Sequence, residues 1–176
     1  YELRQERIYT FDSQKARESQ RDNFKMRNVA RATSAAPTYL PAAEFESEAQ
    51  EKYLFADGGI VVNNPSMAAF LRAQALFPQA EVVHMLSLGT GYSKEDNLHA
   101  LKKGGIVKWV PVISSVIMNG TSDFTHYMLT QRQGSLPEGT FDYMRIQPLL
   151  TKNRKGLDDI DEENLHYLSA LTKREI

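Results

Sequence analysis

A chain of 176 residues, 41% hydrophobic and 24% charged, has ordinary globular composition and enough length for one domain with a real core. Its formal net charge is −1, with Lys and Arg interleaved among acids, so it offers no basic face to nucleic acid. It contains no cysteine, which excludes disulfides, thiolate catalysis and Cys-based zinc sites and fits a reducing, cytoplasmic compartment. No stretch reaches the ~18 apolar residues that span a bilayer, so the sequence reads as soluble or peripheral to a membrane. The polar start, Tyr1 to Arg7, has neither an initiator Met nor a signal peptide's apolar core, and reads as a chain entered partway through.

In chain order, Arg7 to Phe11 is β-prone and predicts a strand, followed by a surface loop or short helix over Asp12 to Lys25. Asn28 predicts the cap of a helix through Val29 to Ala36, stopped by Pro37, with small side chains for close packing. Pro37 and Pro41 bracket a rigid turn. Tyr53 to Ala56 reads as a short buried strand ending at Asp57-Gly58-Gly59. Asn64 as cap and Pro65 at the first helical position predict a helix to about Phe77, with Met67, Phe70, Ala73 and Phe77 on one face. Val82 to Leu88 is nearly continuously apolar, as for a strand buried on both faces, and runs into Gly89-Thr90-Gly91. Strand, helix, strand over this span predicts a βαβ unit with parallel pairing. Ile106, Val110, Ile113 and Ile117, widened by Trp109, mark a buried helix kinked at Pro111. Phe141 to Gln147 predicts a strand, and Leu165, Leu168 and Leu171 a last helix after the acidic start Asp158 to Glu163. The class is α/β.

Functional groups in open α/β sheets gather beyond the carboxyl ends of the strands, where this reading puts Asp57. Gly58 and Gly59 would let the backbone pass through conformations closed to other residues. A carboxylate on such a turn can serve as a general base. Asp-Gly-Gly is also ordinary turn composition, so local sequence alone favours a purely structural turn aspartate. Ser34 reads as packing, Ser122 as surface or capping, and Ser87 as positioning a turn; none has the glycines of a nucleophile elbow. His84 reads as a core histidine, and His99, His126 and His166 lack the i, i+4 partner of a metal pair. No metal or cofactor is implied. The apolar span from Ile106 to Met118 has a second reading, an interfacial patch that meets a membrane surface.

The order Ala30-Arg-Ala-Thr-Ser-Ala-Ala-Pro-Thr-Tyr-Leu-Pro41, Tyr53-Leu-Phe-Ala-Asp-Gly-Gly59, Asn63-Asn-Pro65 and Leu86-Ser-Leu-Gly-Thr-Gly91 closely resembles the second half of patatin-like phospholipases. Phe141 to Pro148, Leu157-Asp158-Asp159 and Glu163-Asn164-Leu165 resemble that family's closing segment, so the likeness covers nearly the whole chain. It implies that residues 1–176 are the C-terminal portion of a single patatin-like domain. The implied fold is a three-layer α/β/α one with a mainly parallel central sheet whose first strands are missing.

The resemblance further implies a lipid acyl hydrolase that works by a Ser-Asp dyad. Asp57 is then the general base, with Gly58, Gly59 and Asn64 in the active-site turn. The family's serine lies in Gly-x-Ser-x-Gly, and a Gly-rich loop supplies its oxyanion N–H groups; neither occurs in this sequence. The expectation is a fragment, inactive alone, whose substrate in the intact protein is a phospholipid or lysophospholipid. An incomplete sheet would expose an edge that pairs with the missing portion or with another chain. The competing expectation is a non-catalytic patatin-like module that binds lipid or a protein partner.

Overall fold

The computed structural model describes residues 1–93, 101–102, 104–150 and 158–175. They form two compact units, Tyr1–Asn63 with Ser114–Ser122, and Asn64–Ile113 with Asp123–Ile176.

The first unit opens with α1 (Ser13–Glu18), whose start is fixed by Asp12: its carboxylate accepts the N–H groups of Gln14 and Lys15 at 2.9 and 3.1 Å. Helix α2 (Met26–Thr33) begins two residues before Asn28, because the N–H groups of Asn28 and Val29 already reach Lys25 O. The expected cap at Asn28 is therefore an interior helical residue, and the helix ends at Thr33 rather than Ala36. The small residues do pack: Ala32 and Ala35 are buried. Ser34 does not, since it is exposed and its hydroxyl donates to Arg31 O.

Strand β1 (Ala43–Glu46), which the sequence did not announce, pairs antiparallel with β2 (Lys52–Phe55) in the register Ala43 to Phe55 and Glu46 to Lys52. The expected strand over Arg7 to Phe11 does not form. Only Arg7 makes a bridge, to Glu2, and the rest is irregular. Its aromatic residues are used for packing instead. Tyr9 and Phe11 lie against a buried cluster of Phe24, Ala32, Ala35, Ala43, Tyr53 and Phe55. Rings meet edge-on or tilted at 5.1–6.1 Å in most of these pairs, contacts worth about 0.5–1.5 kcal/mol each beyond area burial. Glu2 is fully buried, and its carboxylate accepts the N–H groups of Arg4, Gln5 and Leu54. That set of donors satisfies a charge which would otherwise be costly to bury.

In the second unit, α3 (Ser66–Leu76) starts one residue later than expected, yet Asn64 still does the capping work: its Oδ1 accepts the Ser66 N–H at 3.2 Å. Phe70 is buried on the expected face, whereas Phe77, just past the helix, is 66% exposed. Strand β3 (Val83–Leu88) pairs in parallel with β4 (Phe141–Ile146), in the register Val83 to Phe141 through Leu88 to Ile146. Between them runs α4 (Ile106–Ser135), a 30-residue helix that continues unbroken through Pro111. Helix α5 (Glu162–Glu175) closes the described chain, with Glu162 and Glu163 in its first turn as the acidic start required.

The fold is thus α/β with parallel pairing, but the βαβ unit is β3-α4-β4. Strand β2 pairs with β1 in a separate two-stranded sheet. Nor is β3 buried on both faces. Val83, Met85 and Ser87 point inward, Val83 and Met85 against the core of Phe70, Leu129, Phe141 and Tyr143. His84, Leu86 and Leu88 alternate outward and are exposed, because a strand's side chains change face at every residue. The expected core histidine is accordingly an exposed one: His84 Nδ1 lies 2.8 Å from Asp142 Oδ2, its register partner. The apolar helix is likewise not buried around its circumference. Ile106, Trp109, Ile113, Val116 and Ile117 are all exposed by 41–78%. Ser122, expected at the surface, is buried within α4.

Candidate active site

Strand β2 delivers its last residues in a fixed way. The N–H of Ala56 donates to Tyr1 O, and that of Asp57 donates to Ala35 O at 2.9 Å. The backbone of Asp57 is thus pinned to the segment that follows α2. Its own conformation, φ −51° and ψ 134°, is ordinary and extended. Gly58–Ile60 then makes one 3-10 turn, sealed by the Val61 and Val62 N–H groups, which both donate to Gly58 O.

The Asp57 carboxylate is half-buried and asymmetric. Oδ1 accepts the N–H of Gly59 at 2.8 Å, which fixes the side-chain rotamer over the turn. The side chain makes no other hydrogen bond among the described residues.

The glycines do not serve the purpose expected of them. Neither Gly58 nor Gly59 has a positive φ; among the described glycines, Gly91 and Gly139 do. A side chain at Gly59 would meet only ordinary contact distances. A Cβ there would stand 3.4 Å from Asp57 Oδ1, 3.6 Å from Asn63 Oδ1 and 3.7 Å from Met118 Cε. The Asn63 amide in turn donates to Met118 O at 3.3 Å. Gly58 faces open space. Asp57, Gly58 and Gly59 thus stand together in the first unit, whereas Asn64 is buried at the start of the second.

Within the last residues of β3 and β4 the second unit holds a polar cluster of its own. Buried Ser87 accepts from Ser66 Oγ at 2.8 Å and from Arg145 Nη1 at 2.7 Å, which ties the start of α3 to both strands. These contacts join the Ser87 hydroxyl to Ser66 and Arg145, not to the Gly89-Thr90-Gly91 turn. Arg145 escaped sequence reasoning. It becomes Ser87's neighbour only through the strand register, and no local signal carries that information. Gly91 is one position where glycine is needed, with φ +96° and the Leu150 side chain 2.8 Å from where a Cβ would lie. Of the histidines, His126 Nδ1 is 3.1 Å from the Tyr143 hydroxyl, His166 lies exposed on α5, and His99 falls outside the described residues. No group of three or more His, Asp or Glu that could hold a metal ion occurs among the described residues.

Residues 2–70, which include the Asp57 turn, match the family model of patatin-like phospholipase. Calcium-independent phospholipase A2-gamma of Homo sapiens is 31% identical over 153 residues, covering 82% of this chain and 18% of that protein. Patatin-like protein 3 of Arabidopsis thaliana is 27% identical over 194 residues, covering 94% of this chain and 45% of the relative. Patatin-like protein 1 of Oryza sativa subsp. indica is 27% identical over 180 residues, covering 86% and 43%. The chain spans less than half the length of each of these relatives. The segment around Asp57 and the similarity over most of the sequence agree: this chain belongs to the patatin-like phospholipase family.

Proposed function

We propose that the protein to which these residues belong hydrolyses fatty-acyl esters of phospholipids or lysophospholipids, with Asp57 as its general base. The observation that carries this reading is the Asp57 carboxylate, anchored through Oδ1 to Gly59 N–H and with no other hydrogen bond among the described residues. A serine from outside these 176 residues would attack the ester carbonyl and pass its proton to Asp57. Collapse of the tetrahedral adduct expels the alcohol, which takes up that proton. Water then adds to the acyl-serine, again giving its proton to Asp57, and the fatty acid leaves as the serine is restored. On this account residues 1–176 alone do not turn over substrate, because they contain no Gly-x-Ser-x-Gly.

The same observation gives the competing reading, a non-catalytic lipid- or partner-binding module, its one support: the Oδ1 bond would keep an aspartate here for the turn alone. Asp57→Asn separates the two. The amide oxygen can still accept the Gly59 N–H, while the base is gone. In the full-length protein, acyl release from a phospholipid should fall by about 10²- to 10⁴-fold. Activity of Asp57→Asn within a few-fold of the parent would overturn the role.

A further inference from the structure

Between α2 and β1 the chain turns through Pro37-Thr38-Tyr39-Leu40-Pro41, and it does so under strain. Thr38 has φ +74°, in the left-handed region that a β-branched residue rarely enters. Glu6 and Gln50 also have positive φ among the described residues, but neither is β-branched. Such a conformation persists only where its surroundings hold it. Two sets of bonds do so here. The N–H groups of Tyr39 and Leu40 both donate to Ala36 O, at 3.1 and 2.9 Å. From the last turn of α2, Arg31 Nη2 donates to Pro41 O at 2.6 Å, a charge-assisted bond that reaches across ten residues and closes the segment into a loop. Arg31 Nη1 is buried without a hydrogen-bond partner among the described residues, a cost that a solvated surface arginine does not bear.

The loop that Arg31 closes holds Asp57 by both of its ends. Within it lies Ala35, 1% exposed, whose O accepts the Asp57 N–H at 2.9 Å. At its far end, Pro41 stands two residues before Ala43, whose register partner Phe55 stands two residues before Asp57. One end therefore reaches Asp57 through a hydrogen bond and the other through the β1–β2 ladder. The Arg31 side chain ties the two ends together. We infer that Arg31 is a positioning residue for the Asp57 base. It acts on the backbone that carries the base, since no hydrogen bond or ion pair joins its guanidinium to the Asp57 carboxylate. Without the bond to Pro41, the strained turn relaxes and draws Ala35 O away from the Asp57 N–H. The carboxylate then shifts from the place where a serine must deliver its proton, and a shift of about 1 Å can cost about 10²-fold in rate. The inference rests on the proposed role of Asp57.

The test uses the full-length protein, at a temperature where each variant is fully folded. Arg31→Met keeps the apolar stem and removes the donor. It should lower kcat for acyl release from a phospholipid by about tenfold or more and leave KM within about twofold. Arg31→Lys, which returns a donor to Pro41 O, should recover most of that loss. Thr38→Gly removes the strain that the bond opposes, because glycine enters the left-handed region freely. Added to Arg31→Met, it should restore folding if the single variant folds poorly, and bring kcat to within about threefold of Thr38→Gly alone. Amide hydrogen exchange resolved to single residues reads the positioning without any activity. In Arg31→Met the Asp57 N–H should exchange about tenfold faster, while the Leu54 N–H, held by the Glu2 carboxylate, keeps its parental rate. Parental kcat in Arg31→Met, with Asp57→Asn inactive, overturns the inference and leaves Asp57 its role. Equal acceleration at Leu54 and Asp57 also overturns it, by making Arg31 a support of the whole unit. Parental activity of Asp57→Asn is the different failure, since it removes the base itself and with it the group that Arg31 would position.

Discussion

The two compact units solve the same problem to different degrees. In the first, six rings from Tyr9, Phe11, Phe24, Phe45, Tyr53 and Phe55 close around one point, and Phe55 at the end of β2 is 1% exposed. In the second, one face of the β3–β4 pair packs on Phe70, Leu129, Phe141 and Tyr143, while Leu86, Leu88 and Met144 on the other face are 56–65% exposed. The Asp57 turn sits on the closed unit. The base proposed here would have to be held in place before substrate arrives, and the aromatic cluster that buries Phe55 of β2 offers that rigidity. An open sheet face, by contrast, leaves stabilisation unused within its own unit.

This contrast can be broken at its strongest point first. Phe55→Ala should destabilise the protein by about 3–5 kcal/mol, because the cluster around it cannot collapse without breaking several ring contacts. Urea unfolding measures it, and a loss under ~1 kcal/mol would mean that the first unit is not the closed one.

A smaller effect comes from the tyrosines of the same cluster. Burial, then the hydrogen bond to Asp22, raises the Tyr9 pKa well above its ordinary value of 10.0; burial, then the hydrogen bond to Glu51, raises that of Tyr53. Both folded values lie above the unfolded one. The stability they contribute is therefore fully present below pH 10 and is lost as pH climbs toward the raised folded values. Tyr9→Phe should cost about 1 kcal/mol at neutral pH, through the lost bond to Asp22, and should flatten the alkaline decline. Unfolding midpoints compared at neutral and alkaline pH read both parts; an unchanged alkaline slope would remove Tyr9 from the account.

The smallest effect belongs to the open face. Leu86→Ser should change stability by no more than about 0.5 kcal/mol, as for an exposed position away from special features. A cost above ~1.5 kcal/mol in the full-length protein would show that this face is covered there, and the comparison would then need that cover as part of its terms.

How much of this was legible in the sequence depended on how local the signal was. The strand into Asp57, the start of α3 to within a residue, the Phe141 strand and the acidic opening of α5 each rest on neighbours in the chain, and each appeared where expected. Strand β1 escaped because Ala-Glu-Phe-Glu is four residues long and half acidic; its stability comes from pairing with β2. The second half of α4 escaped because Asn119, Gly120, Thr121 and Ser122 have modest helix propensity, which continuity with the helix on both sides overrides. His84 was misjudged by the company it keeps in sequence. Its neighbours are apolar, but alternation puts it on the open face beside Asp142. The glycines after Asp57 were identified correctly as part of the turn and wrongly explained, since neither has a left-handed backbone and a Cβ at either would meet only ordinary contacts or open space.

The most direct test of the central claim separates the two oxygens of Asp57. Asp57→Asn in the full-length protein should leave the unfolding midpoint almost unchanged, because the Gly59 N–H keeps its acceptor, while acyl release falls by about 10²-fold or more. Near-parental acyl release from a normally folded Asp57→Asn protein would contradict the account and leave Asp57 as a residue of the turn.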